Sequence, residues 1–149
     1  MKNMKKYFLV ALVVMGGAVP AAAFGATLSA APLSGMYQTG NIITAQIMVD
    51  TQGAPIEGVD IRHLNYNPSL LEAQDENLSV AGVQIAPGTL MANTVVNTVD
   101  ASLGRIAFSQ VISGNTTFTG SGALATVRFR VLGQGSASVA FTFTLGNTA

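Results

Sequence analysis

Apolar and polar residues alternate with a period of two along most of the chain. In "IITAQIMVD" (residues 42–50), Ile43, Ala45, Ile47 and Val49 share one side, and Thr44 and Gln46 share the other. "GRIAFSQVIS" sets Ile106 and Phe108 against Arg105, Ala107 and Ser109, and "ATVRFRVLG" sets Val127, Phe129 and Val131 against Thr126, Arg128 and Arg130. "SASVAFTFTL" alternates Val139, Phe141, Phe143 and Leu145 with Ser138, Ala140, Thr142 and Thr144. Side chains on a strand point alternately to its two faces, so each run predicts a strand with one buried face. No helical period extends beyond about two turns.

One run breaks this parity. In "GVDIRHLNYNPSLLEAQ", Val59 and Ile61 share one parity while Leu64 and Tyr66 share the other. A strand with a strict period of two cannot bury all four. A β-bulge near Arg62 or His63 restores the register. Pro68 withholds an N–H and biases Asn67 toward extended geometry, which ends the ladder after Tyr66. The Asn67 side chain can cap the turn, and Leu70 and Leu71 are placed to plug the end of the core. Tyr66, Asn67, Pro68, Leu70 and Leu71 are therefore assigned a structural role.

Clusters of Gly, Asn, Thr, Ser and Pro separate the runs: Asp50 to Pro55, Ser113 to Gly122, and Gly133 to Ser136. Short alternating runs between such loops predict an all-β sandwich or barrel. No internal repeat or low-complexity linker divides the chain, and 149 residues suffice for one domain with a real core.

The N-terminus has a different character. "MKNMKK" is basic, "YFLVALVVMGGAV" is apolar, and "PAAAFGA" offers small residues for cleavage after Ala23 or after Gly25. Residues 1–23 are read as a signal peptide and 26–149 as the exported domain, secreted or held at the cell surface. The apolar stretch is shorter than the roughly 20 residues that span a bilayer, so membrane contact is expected only if the segment stays uncleaved. The domain has no cysteine and folds without disulfides in a compartment that permits them. All three lysines lie in the first six residues; the remainder carries four arginines against seven acids. Such a balance offers no footprint for nucleic acid.

Candidate chemistry is sparse. His63 is the only histidine and falls at the proposed bulge, where a surface or space-filling role outweighs catalysis. No phosphate-binding glycine loop opens a helix, and the usual zinc ligands are absent. Glu72, Asp75 and Glu76 lie together but do not match the EF-hand spacing, so a solvated loop is the expectation. No catalytic residue, metal or cofactor is assigned. "NLS" at Asn77 and "NTT" at Asn115 match the glycosylation sequon.

Taken in order, "ATLSAAP", "GNIITAQIMVD", "LNYNPSLLEA", "GRIAFS" and "GSGALATVRFRV" resemble a cohesin module, the receptor half of the cohesin–dockerin pair in bacterial surface scaffolds. The family's Tyr-Asp-Pro turn appears as Tyr66-Asn67-Pro68. Its Gly-x-Leu-Ala pattern is met by Gly122, Leu124, Ala125, Val127 and Phe129. The resemblance implies a non-enzymatic jelly-roll sandwich of two sheets and about nine strands that binds a dockerin-like partner with one sheet face. Where the family continues into a last strand, this chain ends in "FTFTLGNTA", which implies a truncated frame or an open edge. On that reading one sheet collects Asp60, Arg62, Asn65, Asn93, Asn97, Arg105, Ala107, Ser109, Thr126, Arg128 and Arg130 as the partner-binding face. An ordinary solvated face is the competing interpretation. A carbohydrate-binding module in polysaccharide breakdown is the alternative function. It lacks tryptophan, and only Tyr37 and Phe118 are expected to be exposed in loops. A structural or adhesion domain that assembles through edge strands is the third.

Overall fold

The computed structural model describes residues 8–11, 26–32 and 34–142, the first four by their backbone. Within them the chain is all-β, with no helix. The strands are β1 (Phe8–Ala11), β2 (Thr27–Ala31), β3 (Ser34–Tyr37), β4 (Ile42–Asp50), β5 (Gly58–Tyr66), β6 (Leu71–Ala73), β7 (Ala86–Pro87), β8 (Asn93–Asp100), β9 (Arg105–Val111), β10 (Ser121–Val131), β11 (Ser136–Ala137) and β12 (Val139–Phe141). One sheet has the order β2-β4-β10-β6, with β7 also on β10. A second has the order β12-β5-β9-β8, and a small third sheet has the order β11-β1-β3. The cleavage positions at Ala23 and Gly25, and Phe143 and Leu145, lie outside the described residues.

The alternating runs face one another as a two-layer core. Ile43, Ala45, Ile47 and Val49 of β4 join Val127, Phe129 and Val131 of β10 on one side. Ile61, Leu64 and Tyr66 of β5, Ile106 and Phe108 of β9, and Val139 and Phe141 of β12 oppose them. A buried side chain of this size stabilises by about 1.5–3 kcal/mol, so the pairing of layers carries most of the fold.

The bulge in β5 lies where parity requires it. Pairing with β9 runs from Gly58↔Val111 to Ile61↔Phe108, then shifts and resumes at Leu64↔Ile106. Arg62 and His63 occupy the shift. The same device occurs twice more. β10 shifts between Ala123 and Ala125, and β8 between Thr94 and Val96. In β10 the shift lets the neighbours Leu124 and Ala125 both bury.

Beyond β5 the Asn-Pro turn closes one end. The Asn67 carboxamide accepts the Ser69 N–H at 2.9 Å, and the Asn67 carbonyl accepts the N–H groups of Leu70 and Leu71. Leu71 is buried, and Leu70 packs partly against the core. The β8–β9 turn docks on this feature. The Gly104 carbonyl accepts the Tyr66 N–H at 2.8 Å. Gly104 has φ of +63°, and a Cβ there would lie 2.1 Å from the Tyr66 carbonyl oxygen. Only glycine satisfies both the backbone conformation and the approach.

Candidate functional site

The structure divides the candidate binding residues between two opposite faces. Asp60, Arg62 and Asn65 lie on β5, Asn93 and Asn97 on β8, and Arg105, Ala107 and Ser109 on β9, all in one sheet. Thr126, Arg128 and Arg130 lie on β10, in the other. The expectation of a single face is corrected accordingly. Period-two parity assigns a residue to the inside or outside of its own strand and does not say which sheet the strand joins.

Registers across the β12-β5-β9-β8 sheet order its outer face in rows. Ala140, Asn65, Arg105 and Asp100 are cross-strand neighbours in one row. Ala107 pairs with Thr98 in the next, opposite the Arg62–His63 bulge. Asp60, Ser109 and Val96 form a third. The centre is therefore small, with Ala107 and Ser109 flanked by longer polar chains. Ser109 is nearly covered by its neighbours.

Asn97 departs from expectation. The bulge at Thr94–Val96 reverses the parity of β8, so Asn97 pairs with inward-facing Phe108. Its side chain clamps the backbone of Ile85, accepting the N–H at 2.9 Å and donating to the carbonyl at 2.8 Å. Asn97 is a structural residue that ties a loop to the edge of the sandwich. Asn93 lies at the exposed start of β8 and donates to the Ser113 hydroxyl.

The same bulge exposes what parity conceals: Val95 is 63% exposed and Val96 37%. In "NTVVNT" two adjacent valines cannot both face inward on a regular strand, and that was the available signal. An apolar pair on an edge strand beside small residues is a surface suited to burial against a partner.

Charge on this face is balanced and only partly engaged. Arg62 pairs with Asp60 at 3.2 Å, both well exposed, a contact of little energetic weight. Asn65 donates to the Thr142 hydroxyl. Asp100 accepts from the Ser102 hydroxyl at 2.7 Å and from the Leu103 N–H at 3.0 Å. These bonds hold its carboxyl below the usual carboxylate range. The nearby Arg105 charge favours the ionised carboxyl further. Among the described residues Arg105 makes no ion pair within 4.0 Å, so its guanidinium donors stay available to a partner's carboxylate.

The opposite face is arranged differently. Arg128 pairs with Glu76 at 3.3 Å, and Arg130 approaches Glu72 at 3.7 Å and donates to Gln74 at 3.2 Å. Glu72 and Glu76 thus serve the arginines of β10. Asp75 accepts the backbone N–H groups of Asn77 and Gln84. The acidic loop is organised by these contacts, and no group of metal-ligating side chains occurs among the described residues.

His63 sits in the bulge, half-buried, and its carbonyl accepts the Thr142 N–H. Tyr37 and Phe118 also depart from expectation. Both pack partly against the core, Tyr37 on β3 and Phe118 through a bridge to Ile56. Among the described residues no aromatic side chain is fully exposed.

No protein-family model matches the chain, and no curated protein matches it in sequence. Solved structures do match. The second type II cohesin module from the adaptor ScaA scaffoldin of Acetivibrio cellulolyticus aligns with a TM-score of 0.60 at 18% identity, over 84% of this chain and 74% of that one. A type II cohesin domain from the cellulosome of the same organism gives 0.55 at 19% identity, over 72% and 68%. A chain of a type II Cohesin-X-Dockerin complex, also from that organism, gives 0.51 at 22% identity, over 72% of each chain. At these identities the likeness concerns the fold. The chain has the two-sheet sandwich fold of a cohesin module.

Proposed function

We propose that this chain is an exported, non-catalytic binding module that docks a dockerin-type protein partner on the outer face of the β12-β5-β9-β8 sheet. Similar structures include a cohesin bound in a type II Cohesin-X-Dockerin complex. The observation that carries the choice of face is the contrast between the two sheets. On one face Arg105, the cross-strand neighbour of Asp100, makes no ion pair within 4.0 Å among the described residues and adjoins small Ala107 and Ser109 and exposed Val95 and Val96. On the other, Arg128 and Arg130 already face Glu76, Glu72 and Gln74.

Docking would place a partner helix along the flat strip of Ala107 and Ser109. A partner carboxylate would reach Arg105 or Arg62, with Asp60, Asn65 and Asn93 at the polar rim and Val95 and Val96 providing apolar burial. The basic and apolar N-terminus supports export ahead of Ala23, and a place on the cell surface or in a polysaccharide-degrading assembly follows from that reading. Stacking on sugar rings needs exposed aromatic faces, and among the described residues no aromatic side chain is fully exposed, so the carbohydrate alternative draws no support from them.

The test is titration calorimetry of the purified protein with dockerin-bearing proteins encoded in the same genome. Binding that Arg105→Glu abolishes and Arg128→Glu leaves intact supports the reading. Absence of dockerin binding together with retention on an immobilised glycan panel overturns it.

A further inference from the structure

Strand β8 holds two inward residues three positions apart. Thr94 is the cross-strand neighbour of Gln110, which is buried on β9. Asn97 is the neighbour of Phe108, which is also buried. Directly opposed residues on paired strands share a face, so Thr94 and Asn97 point the same way. A strict period of two cannot place residues i and i+3 on one face. One extra residue must lie between them, and Val95 is that residue. With it in place, Val95 and Val96 are both exposed.

A polar contact pins each side of this bulge. On one side the Asn97 carboxamide clamps the backbone of Ile85. On the other, the Gln110 carboxamide donates to the Gly88 carbonyl and to the Thr94 hydroxyl, each at 3.1 Å. The Gln110 side-chain oxygen is buried with no hydrogen-bond partner among the described residues, so the amide depends on these two bonds. Regular pairing continued from Val96↔Ser109 would set Val95 opposite Gln110 and Thr94 opposite Val111. The valine would then turn inward beside the amide, and the hydroxyl would turn outward. A buried donor deprived of its acceptor is costly, so Gln110 selects the bulged register over the regular one.

We infer that Gln110 is a positioning residue for the docking face: through Thr94 it fixes the bulge that presents Val95 and Val96 together. Gln110 is covered and cannot itself touch a partner. It acts through the register of β8, and fixing register is the best-attested use of a buried polar group. The consequence for docking rests on the function proposed above. The register does not, because it is measured with no partner present.

Cross-strand nuclear Overhauser contacts in the full chain report the register directly. The parent should link position 94 to position 110. Thr94→Val and Gln110→Met each remove the hydrogen bond while keeping a side chain of similar size, and each should move the contact from position 94 to position 95. Thr94→Ser keeps the hydroxyl and should keep the parent pattern. In titration calorimetry with a dockerin-bearing protein from the same genome, the two register variants should bind about fivefold or more weaker, because one exposed valine is withdrawn from the interface. Thr94→Ser should bind as the parent does. Thr94 is exposed at the sheet edge, so its valine variant reads the register even where Gln110→Met does not fold. Retention of the 94–110 contact in Thr94→Val overturns the proposal, as does a shifted contact with undiminished dockerin affinity. Absence of dockerin binding by the parent counts against the docking function alone, since the contacts test the bulge without a partner.

Discussion

Tyr66 on β5 and Phe129 on β10 meet across the sandwich with ring centroids 5.0 Å apart and planes tilted by 55°. Each belongs to a different sheet, so the contact ties the Asn-Pro turn to the centre of the opposite layer. Phe129 pairs with Ile43 and Ala73 on its two flanks and is fully buried. Phe129→Ala is expected to cost about 3–5 kcal/mol in urea unfolding through loss of burial and the cavity left behind.

Tyr66→Phe should act in the opposite direction. The Tyr66 hydroxyl is buried, with no hydrogen bond of good geometry among the described residues. Burial pushes its pKa up, and the Ala73 backbone offsets only part of that effect. An unpaired buried hydroxyl costs roughly 1–3 kcal/mol, so the phenylalanine variant is expected to match or exceed the parent in stability by about 1 kcal/mol. The sign with pH follows from the raised value. The neutral phenol is favoured by folding, so its contribution is fully present below the unfolded tyrosine pKa of about 10 and is lost as pH rises through the higher folded value. The pH dependence of stability in the two proteins should therefore part from about pH 10 upward, across the window between the unfolded and the folded values.

Much of this architecture was legible in the chain because burial enforces alternation. Ile43, Ala45, Ile47 and Val49 could be assigned to a buried face without coordinates, and the parity conflict between Ile61 and Leu64 located the bulge at Arg62–His63. The candidate face was less legible, for two physical reasons. Parity is local to a strand, so it could not separate Arg105 on β9 from Arg128 on β10. A bulge also needs a conflict among buried residues to betray it. The one in β8 lay among Thr, Val and Asn, where Asn97 looked like a surface residue and instead holds Ile85. Gln110 shows the same limit. It is polar yet faces inward on β9, donating to the Gly88 carbonyl and the Thr94 hydroxyl.

Gly104→Ala tests the junction of the two turns. The new methyl would meet the Tyr66 carbonyl and the Pro68 ring, at a positive φ that side chains avoid. Backbone on one side and a fixed ring on the other leave no soft neighbour to yield. A loss of about 2–4 kcal/mol is expected, beyond the roughly 1 kcal/mol of conformational cost alone. Thermal unfolding against an Asn67→Ala control separates the two. Asn67→Ala loses one side-chain bond to the Ser69 N–H, worth about 1 kcal/mol.

Asp100→Asn should alter the acid limb of stability. Hydrogen bonds from Ser102 and Leu103 favour the ionised carboxyl and depress its pKa in the folded state. Its contribution is present above the unfolded aspartate value of about 3.9 and is lost as pH falls through the lower folded value. Urea midpoints at pH 7 and pH 3 should therefore differ less in the asparagine variant than in the parent. An equal difference in both proteins would assign the acid sensitivity to other groups.

The most direct measurement of the proposed function compares the two faces with one partner. Arg105→Glu and Ala107→Arg alter the β12-β5-β9-β8 face at an exposed and a half-buried position of β9. Arg128→Glu with Arg130→Glu alters the other, where the exposed pairs are worth about 1 kcal/mol or less. All should retain their melting cooperativity. In titration calorimetry with a dockerin-bearing protein from the same genome, docking on the first face requires that Arg105→Glu and Ala107→Arg each weaken binding by about tenfold or more, as loss of a charge-assisted contact or a steric block in a packed interface does. The β10 double variant should bind as the parent does. Loss of binding in the β10 variant with full affinity in the other two would contradict the assignment.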